Sequence, residues 1–229
     1  MLIAFRTFCM SRPLTAATVV VTTVSLVLMA TLDRPVTELL YRELNPRELE
    51  FWRHVSDTGR SVYYLALFLV MFIAGRALFL WSAPQPVARR YAEVARFGLF
   101  GLASYALSGT IVQTLKYTVG RYRPKHLIGD GDFGFAWITG NASYNSFPSG
   151  HSQSAFTAAC VLSVLFPRAA WLFLSLAAIV AVSRVLGGAH FVSDALFGSY
   201  VGFVSVLIVQ RTWFADLKPA LPRSVRFAT

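Results

Sequence analysis

Apolar runs of about twenty residues leave a chain few ways to fold. A helix needs roughly that length to cross ~30 Å of hydrocarbon, and inside lipid every backbone polar group must be satisfied within the protein. This sequence has six such runs, at residues 14–32, 61–81, 97–115, 149–166, 169–186 and 191–209. Composition agrees with them. Hydrophobic residues make up 55% and charged residues only 14%, against about 25% charged in an ordinary soluble domain. Mean hydropathy is +0.55, which excludes a disordered chain, a coiled coil and a typical cytosolic enzyme. The fold class expected is all-α: a polytopic membrane protein with six transmembrane helices in a bundle, residues 1–229 forming one membrane-embedded domain.

Two features of the runs set the topology. Arg6 and Arg12 precede the first, as in a secretory signal, but its apolar length exceeds the usual 7–15 residues and Leu28-Met29-Ala30 is a poor cleavage site, so the helix is expected to be retained. The basic stretch 88–90 and the tail residues Lys218, Arg223 and Arg226 favour a cytoplasmic N-terminus, while the acidic residues gather on the other side. The formal charge of +10 then reads as basic loops and attraction to anionic lipid rather than nucleic acid. Cys9 and Cys160 supply neither a disulfide framework nor a zinc site. Between the first two runs, residues 33–60 form a loop with a short helix lying in the membrane interface. Asn45-Pro46-Arg47-Glu48 signals its start, with a cap, a proline at the first helical position and a glutamate three residues on.

Three short sequences place ionisable residues at helix ends: Lys116-x6-Arg123-Pro124, Pro148-Ser149-Gly150-His151 and Ser183-Arg184-x5-His190-x3-Asp194. Counting spans puts all three on the same membrane face. Lys116, Arg123 and Arg184 are three cations whose joint burial calls for an anion, and the guanidinium forks match phosphate oxygens. Ser149-Gly150-His151 at a helix start adds backbone N–H groups and the positive end of a helix dipole, with Gly150 allowing close approach. His190 and Asp194, four apart, share a helical face, so the carboxylate holds one ring nitrogen and leaves the other as base or nucleophile. Gly187-Gly188 turns the chain back to aim that imidazole. His151, on the opposite lip, is suited to protonate a leaving oxygen. Phosphoryl transfer through a phosphohistidine fits these residues, and two histidines in opposite protonation states give a bell-shaped rate against pH.

Other polar residues receive ordinary readings. Arg60, Arg121 and Lys125 are taken as interface anchors, His54 and His126 as hydrogen-bonded surface histidines, and Ser108 and Gln113 as helix-packing groups. Residues 125–147, with Asp130, Asp132 and Trp137, read as a surface loop bordering the pocket at most. Three neighbouring cations would repel a divalent metal, so no metal and no cofactor are expected.

At these residues the sequence resembles the type 2 phosphatidic acid phosphatase superfamily, whose three signatures are present in order and without substitution between Lys116 and Asp194. The resemblance implies His190 as nucleophile, Asp194 as its orienting partner and His151 as general acid. It implies Lys116, Arg123, Ser149, Gly150 and Arg184 as the phosphate-binding shell, and metal-independent chemistry. The expectation is a bacterial inner-membrane lipid phosphatase with its site on the periplasmic face. Its partners are the bilayer and a phosphorylated lipid: phosphatidic acid, phosphatidylglycerol phosphate, undecaprenyl pyrophosphate or a lipid A phosphate. A lipid phosphotransferase, with a lipid hydroxyl replacing water, is the alternative. An anion transporter is a third class, disfavoured because the spans are apolar through their depth. The sequence carries no signal for an oligomeric state.

Overall fold

The computed structural model describes residues 13–81 and 85–217; Arg6, Arg12, Cys9 and the basic tail fall outside them. Among the described residues the chain is mostly helical, with α1 at Pro13–Thr31, α2 at Asp33–Glu43, α3 at Pro46–Asp57, α4 at Ser61–Trp81, α5 at Gln85–Val119, α6 at Pro124–Gly129, α7 at Gly150–Leu165, α8 at Ala170–Leu186 and α9 at Val192–Trp213. Five stretches are long and apolar enough to cross a membrane: Pro13–Thr31, Pro46–Trp81, Gln85–Val119, Pro167–Leu186 and Val192–Trp213.

The sixth expected span is α7, and its surroundings explain why it differs. It has 16 residues, about 24 Å at ~1.5 Å per residue, and it contacts α4, α5, α8 and α9. A helix walled in by protein needs small side chains more than greasy ones. Ser152, Ser154, Ala155, Thr157, Ala158, Ala159 and Ser163 are accordingly buried. Its polar groups find partners on α5: Gln153 Nε2 donates to Ser108 Oγ at 2.6 Å, and Tyr105 OH donates to the Ser154 carbonyl at 2.6 Å. Ser108 is thus a packing group as expected. Gln113 is exposed and does not share that role.

Three expectations about the connections are corrected. The basic stretch 88–90 is helix, because α5 continues N-terminally to Gln85 with Arg89, Arg90 and Glu93 exposed along it. Residues 33–60 hold two helices. The Asn45 cap forms as read, its side chain accepting from the Glu48 N–H while Glu48 reaches back to the Asn45 N–H. That helix, α3, packs on α8. Residues 133–139 are a built element as well. They return antiparallel to 117–122, with Tyr122 N–H donating to the Gly134 carbonyl at 3.0 Å and Ala136 N–H to the Gly120 carbonyl at 2.7 Å.

Candidate active site

The three signatures meet at one end of the bundle, as counting spans required. α9 reaches α7 there because Gly198 has no side chain: a Cβ at that position would collide with the Ser149 main chain. The same close approach lets Ser149 N–H donate to the Asp194 carbonyl at 3.0 Å. Ser149 Oγ accepts from Ser152 Oγ at 2.9 Å, so Ser149 is the N-cap that shapes the start of α7. The helix-start N–H groups of Gly150 and His151 follow it.

The cations come from three elements. Lys116, near the end of α5, donates from Nζ to the Asn145 carbonyl at 2.8 Å, and Arg123 reaches the same oxygen at 3.5 Å. Arg184, in the last turn of α8, is 9% exposed and donates to Ser56 Oγ at 2.7 Å. Its Nε is buried without a protein partner. A buried guanidinium nitrogen with nothing to donate to is costly, and it indicates an acceptor supplied from outside the chain. Beside these groups a cleft of about 550 Å³ opens between Arg53, Asp57, Arg123, Lys125, Ser143 and Arg184.

The chain turns into the site after α8. Gly187 caps the helix, and Gly188 takes a φ of +67°, with Tyr41 packed where a side chain would stand. His190 follows, 3% exposed. Its Nδ1 lies 2.7 Å from the Ser146 carbonyl oxygen and 3.7 Å from Asp194 Oδ2. This revises the expected pairing: the direct partner is a backbone oxygen and the carboxylate stands just behind. A carbonyl only accepts, so Nδ1 carries the proton and Nε2 is left with its lone pair. Burial, joined by the positive charges of Arg184 and Lys116, pushes the imidazole down to about 3, against the opposing pull of Asp194.

Asp194 is closed from water and fully engaged. It accepts from Arg121 at 2.6 Å, from Ser146 Oγ at 2.6 Å and from the Phe191 N–H at 2.9 Å. Arg121 is therefore no interface anchor: it is 2% exposed, bridges Asp194 and Asp33, and sits 4.2 Å from the Phe191 ring centroid. His151 stands across the site, its Cβ against Gly59 between α3 and α4.

Sequence reasoning missed Asp33, Arg121, Ser146, Ser56 and Arg53. An acid directly ending an apolar run was a usable signal for Asp33. Nothing local marked Ser146, whose role depends on the return of the 125–147 segment. His54 keeps its ordinary reading, bonded to the Glu50 carbonyl at 2.8 Å, whereas His126 bonds Asp130 through Nδ1 at 3.3 Å and its buried Nε2 has no protein partner. Lys125 is exposed, as an anchor would be, and lines the cleft.

The chain is similar to several known proteins. The family described as the PAP2 superfamily matches residues 97–217. The lipid A 1-phosphatase of Rhizobium etli is 30% identical over 161 residues, 69% of each chain. Among solved structures, Aquifex aeolicus LpxE superposes with a TM-score of 0.54 at 22% identity, covering 79% of this chain and 96% of the other. A phosphatidylglycerolphosphate phosphatase from Bacillus subtilis gives 0.58 at 23%, covering 87% and 96%. At these identities the two structures speak for the fold.

Proposed function

The chain belongs to the PAP2 superfamily, and on that premise we propose that it is a metal-independent lipid phosphatase acting on a phosphomonoester or pyrophosphate of a membrane lipid. Lipid A 1-phosphate stands first among the candidate substrates, because the Rhizobium etli relative carries that activity in its name. The observation that carries the reading is the imidazole of His190, held by the Ser146 carbonyl with Nε2 unprotonated beside Arg184 and Lys116.

The phosphate is bound by Lys116, Arg123 and Arg184, whose buried Nε takes one oxygen, and by the N–H of Gly150 at the start of α7, where Ser149 holds the turn. His190 Nε2 attacks phosphorus. The P–O bond to the lipid breaks as the N–P bond forms, and His151, protonated once the negative charge of the bound phosphate offsets the neighbouring cations Arg184 and Lys116, gives its proton to the departing oxygen. Asp194 faces the cationic imidazole that results. Water then attacks phosphorus, His151 takes a proton from it, the N–P bond breaks and inorganic phosphate leaves. Water reaches the open cleft freely, which favours hydrolysis over transfer to a second lipid. Arg89, Arg90, Arg168 and Arg211 lie toward the opposite end of the helices, which supports a cytoplasmic N-terminus and a periplasmic site in the inner membrane.

Purified protein assayed in a chelator against the four candidate lipids tests this. Phosphate release is expected without added metal, fastest from lipid A 1-phosphate, and His190→Ala should lower the rate by about 10³-fold or more. Release that survives His190→Ala, or that depends on a divalent ion, would overturn the reading.

A further inference from the structure

Beside His190 lies a group of charges of which only Asp194 belongs to the three signatures. Arg121 NH2 donates to Asp33 Oδ2 at 2.8 Å, and its NH1 donates to Asp194 at 2.6 Å and to Ser193 Oγ at 2.8 Å. Asp33 also accepts from the Ser193 N–H at 3.1 Å and from the Ser193 hydroxyl. Asp33 and Asp194 are both 0% exposed, and the guanidinium is roofed by Phe133, Phe135 and Phe191. Each carboxylate thus receives three donors and offers none, the pattern of an ionised acid.

The charge balance of this group matters more than any one contact. Arg121 and Asp194 alone would be neutral, leaving Asp194 little field for the imidazole 3.7 Å away. Asp33 changes the sum. With two carboxylates and one guanidinium the group is net negative, in a place closed to water, behind a ring that turns cationic on bonding phosphorus. A buried net charge is costly when nothing answers it. Lys116 and Arg123 answer part of it at rest, and the imidazolium formed during the reaction adds to that, so the stabilisation is larger in the transition state than at rest.

We propose that Asp33 and Arg121 are positioning residues that set the charge of the phosphoryl-transfer site: Arg121 pairs with Asp194, and Asp33 neutralises Arg121 so that Asp194 keeps its charge for His190. This rests on the reading of His190 as nucleophile. It also makes the junction of α1 and α2 part of the active site, since Asp33 ties that junction to the first turn of α9 through Ser193.

The charge sum gives a test that a purely structural role fails. Asp33→Asn brings the group to neutrality. It is expected to lower kcat by about 10- to 100-fold while KM and competitive inhibition by inorganic phosphate stay within ~3-fold. Arg121→Gln in the Asp33→Asn background restores a single negative charge, and kcat should climb back toward wild type although both native ion pairs of Arg121 are now gone. A double variant that is folded by thermal melting and phosphate inhibition, yet as slow as Asp33→Asn or slower, would overturn the proposal. So would wild-type kcat in Asp33→Asn. Should Asp33→Asn fail to fold, kcat of the folded double variant decides: within ~10-fold of wild type supports the proposal, and a loss beyond ~100-fold refutes it. Undiminished phosphate release by His190→Ala, measured alongside, would instead strike the nucleophile assignment.

Discussion

His190 is held neutral by where it sits, and the sign of that effect is testable. Its proton-binding affinity is depressed to about 3 by burial first and neighbouring cations second, so the folded protein resists the proton that an unfolded histidine accepts near pH 6.5. Between those values the unfolded chain binds more protons, and stability contributed by this group falls as pH drops from about 6.5 toward 3. The acid limb of the two-histidine bell therefore moves out of the physiological range. Nitrogen NMR of histidine-labelled protein should find His190 neutral with the proton on Nδ1 from pH 5 to 8. An imidazolium at pH 6 in the ligand-free protein would contradict the geometry. Most of this site was legible at the residue scale, because the signature residues stand at helix ends where a parity count brings them together. Arg121 was not: an arginine near a membrane edge is usually an anchor, and only its two distant carboxylates reveal it as buried.

Helices α7 and α9 determine how closely those residues meet. Gly198 lies against the Ser149 carbonyl and Gly202 against that of Gln153, so two glycines one turn apart bring α9 onto the start of α7. Gly198→Ala should separate them, costing about 1–3 kcal/mol of stability by overpacking and lowering activity by shifting the Ser149–His151 turn. Thermal melting and phosphate release measure both, and an unchanged variant would remove the steric argument. The sequence marked α4 and α8 to within a few residues because lipid-facing helices must be uniformly apolar. It marked α5 poorly at one end, since Arg89, Arg90 and Arg96 lower the hydropathy without stopping a helix. α2 went unseen because its sequence is polar over most of a turn and carries a proline near its start.

At the scale of the molecule, α5, α7, α8 and α9 are scaffold along their length and chemistry at one end. The cleft, the cations and both histidines lie at that end, and the exposed basic extension of α5 lies at the other. Topology follows in a form that can be checked. With Cys9 and Cys160 replaced by serine, Asn141→Cys should react with a membrane-impermeant thiol reagent on intact spheroplasts, and Glu93→Cys only after lysis. The reverse pattern would put the site in the cytoplasm and exclude an outer-leaflet substrate. What sequence did not disclose at this scale is the contribution of residues 33–60 and 125–147. They fold over the rim through long-range contacts, such as Arg53 with the Gly187 carbonyl and Ser146 with Asp194, that no local pattern encodes.

The central claim is that phosphorus passes through a bond to one nitrogen. Protein mixed with a labelled lipid phosphate, quenched in alkali within milliseconds and digested should yield a base-stable, acid-labile phosphopeptide containing His190 modified at Nε2, and none from His190→Ala. Label on another residue, or turnover at full rate with no labelled histidine at any time, would contradict the account.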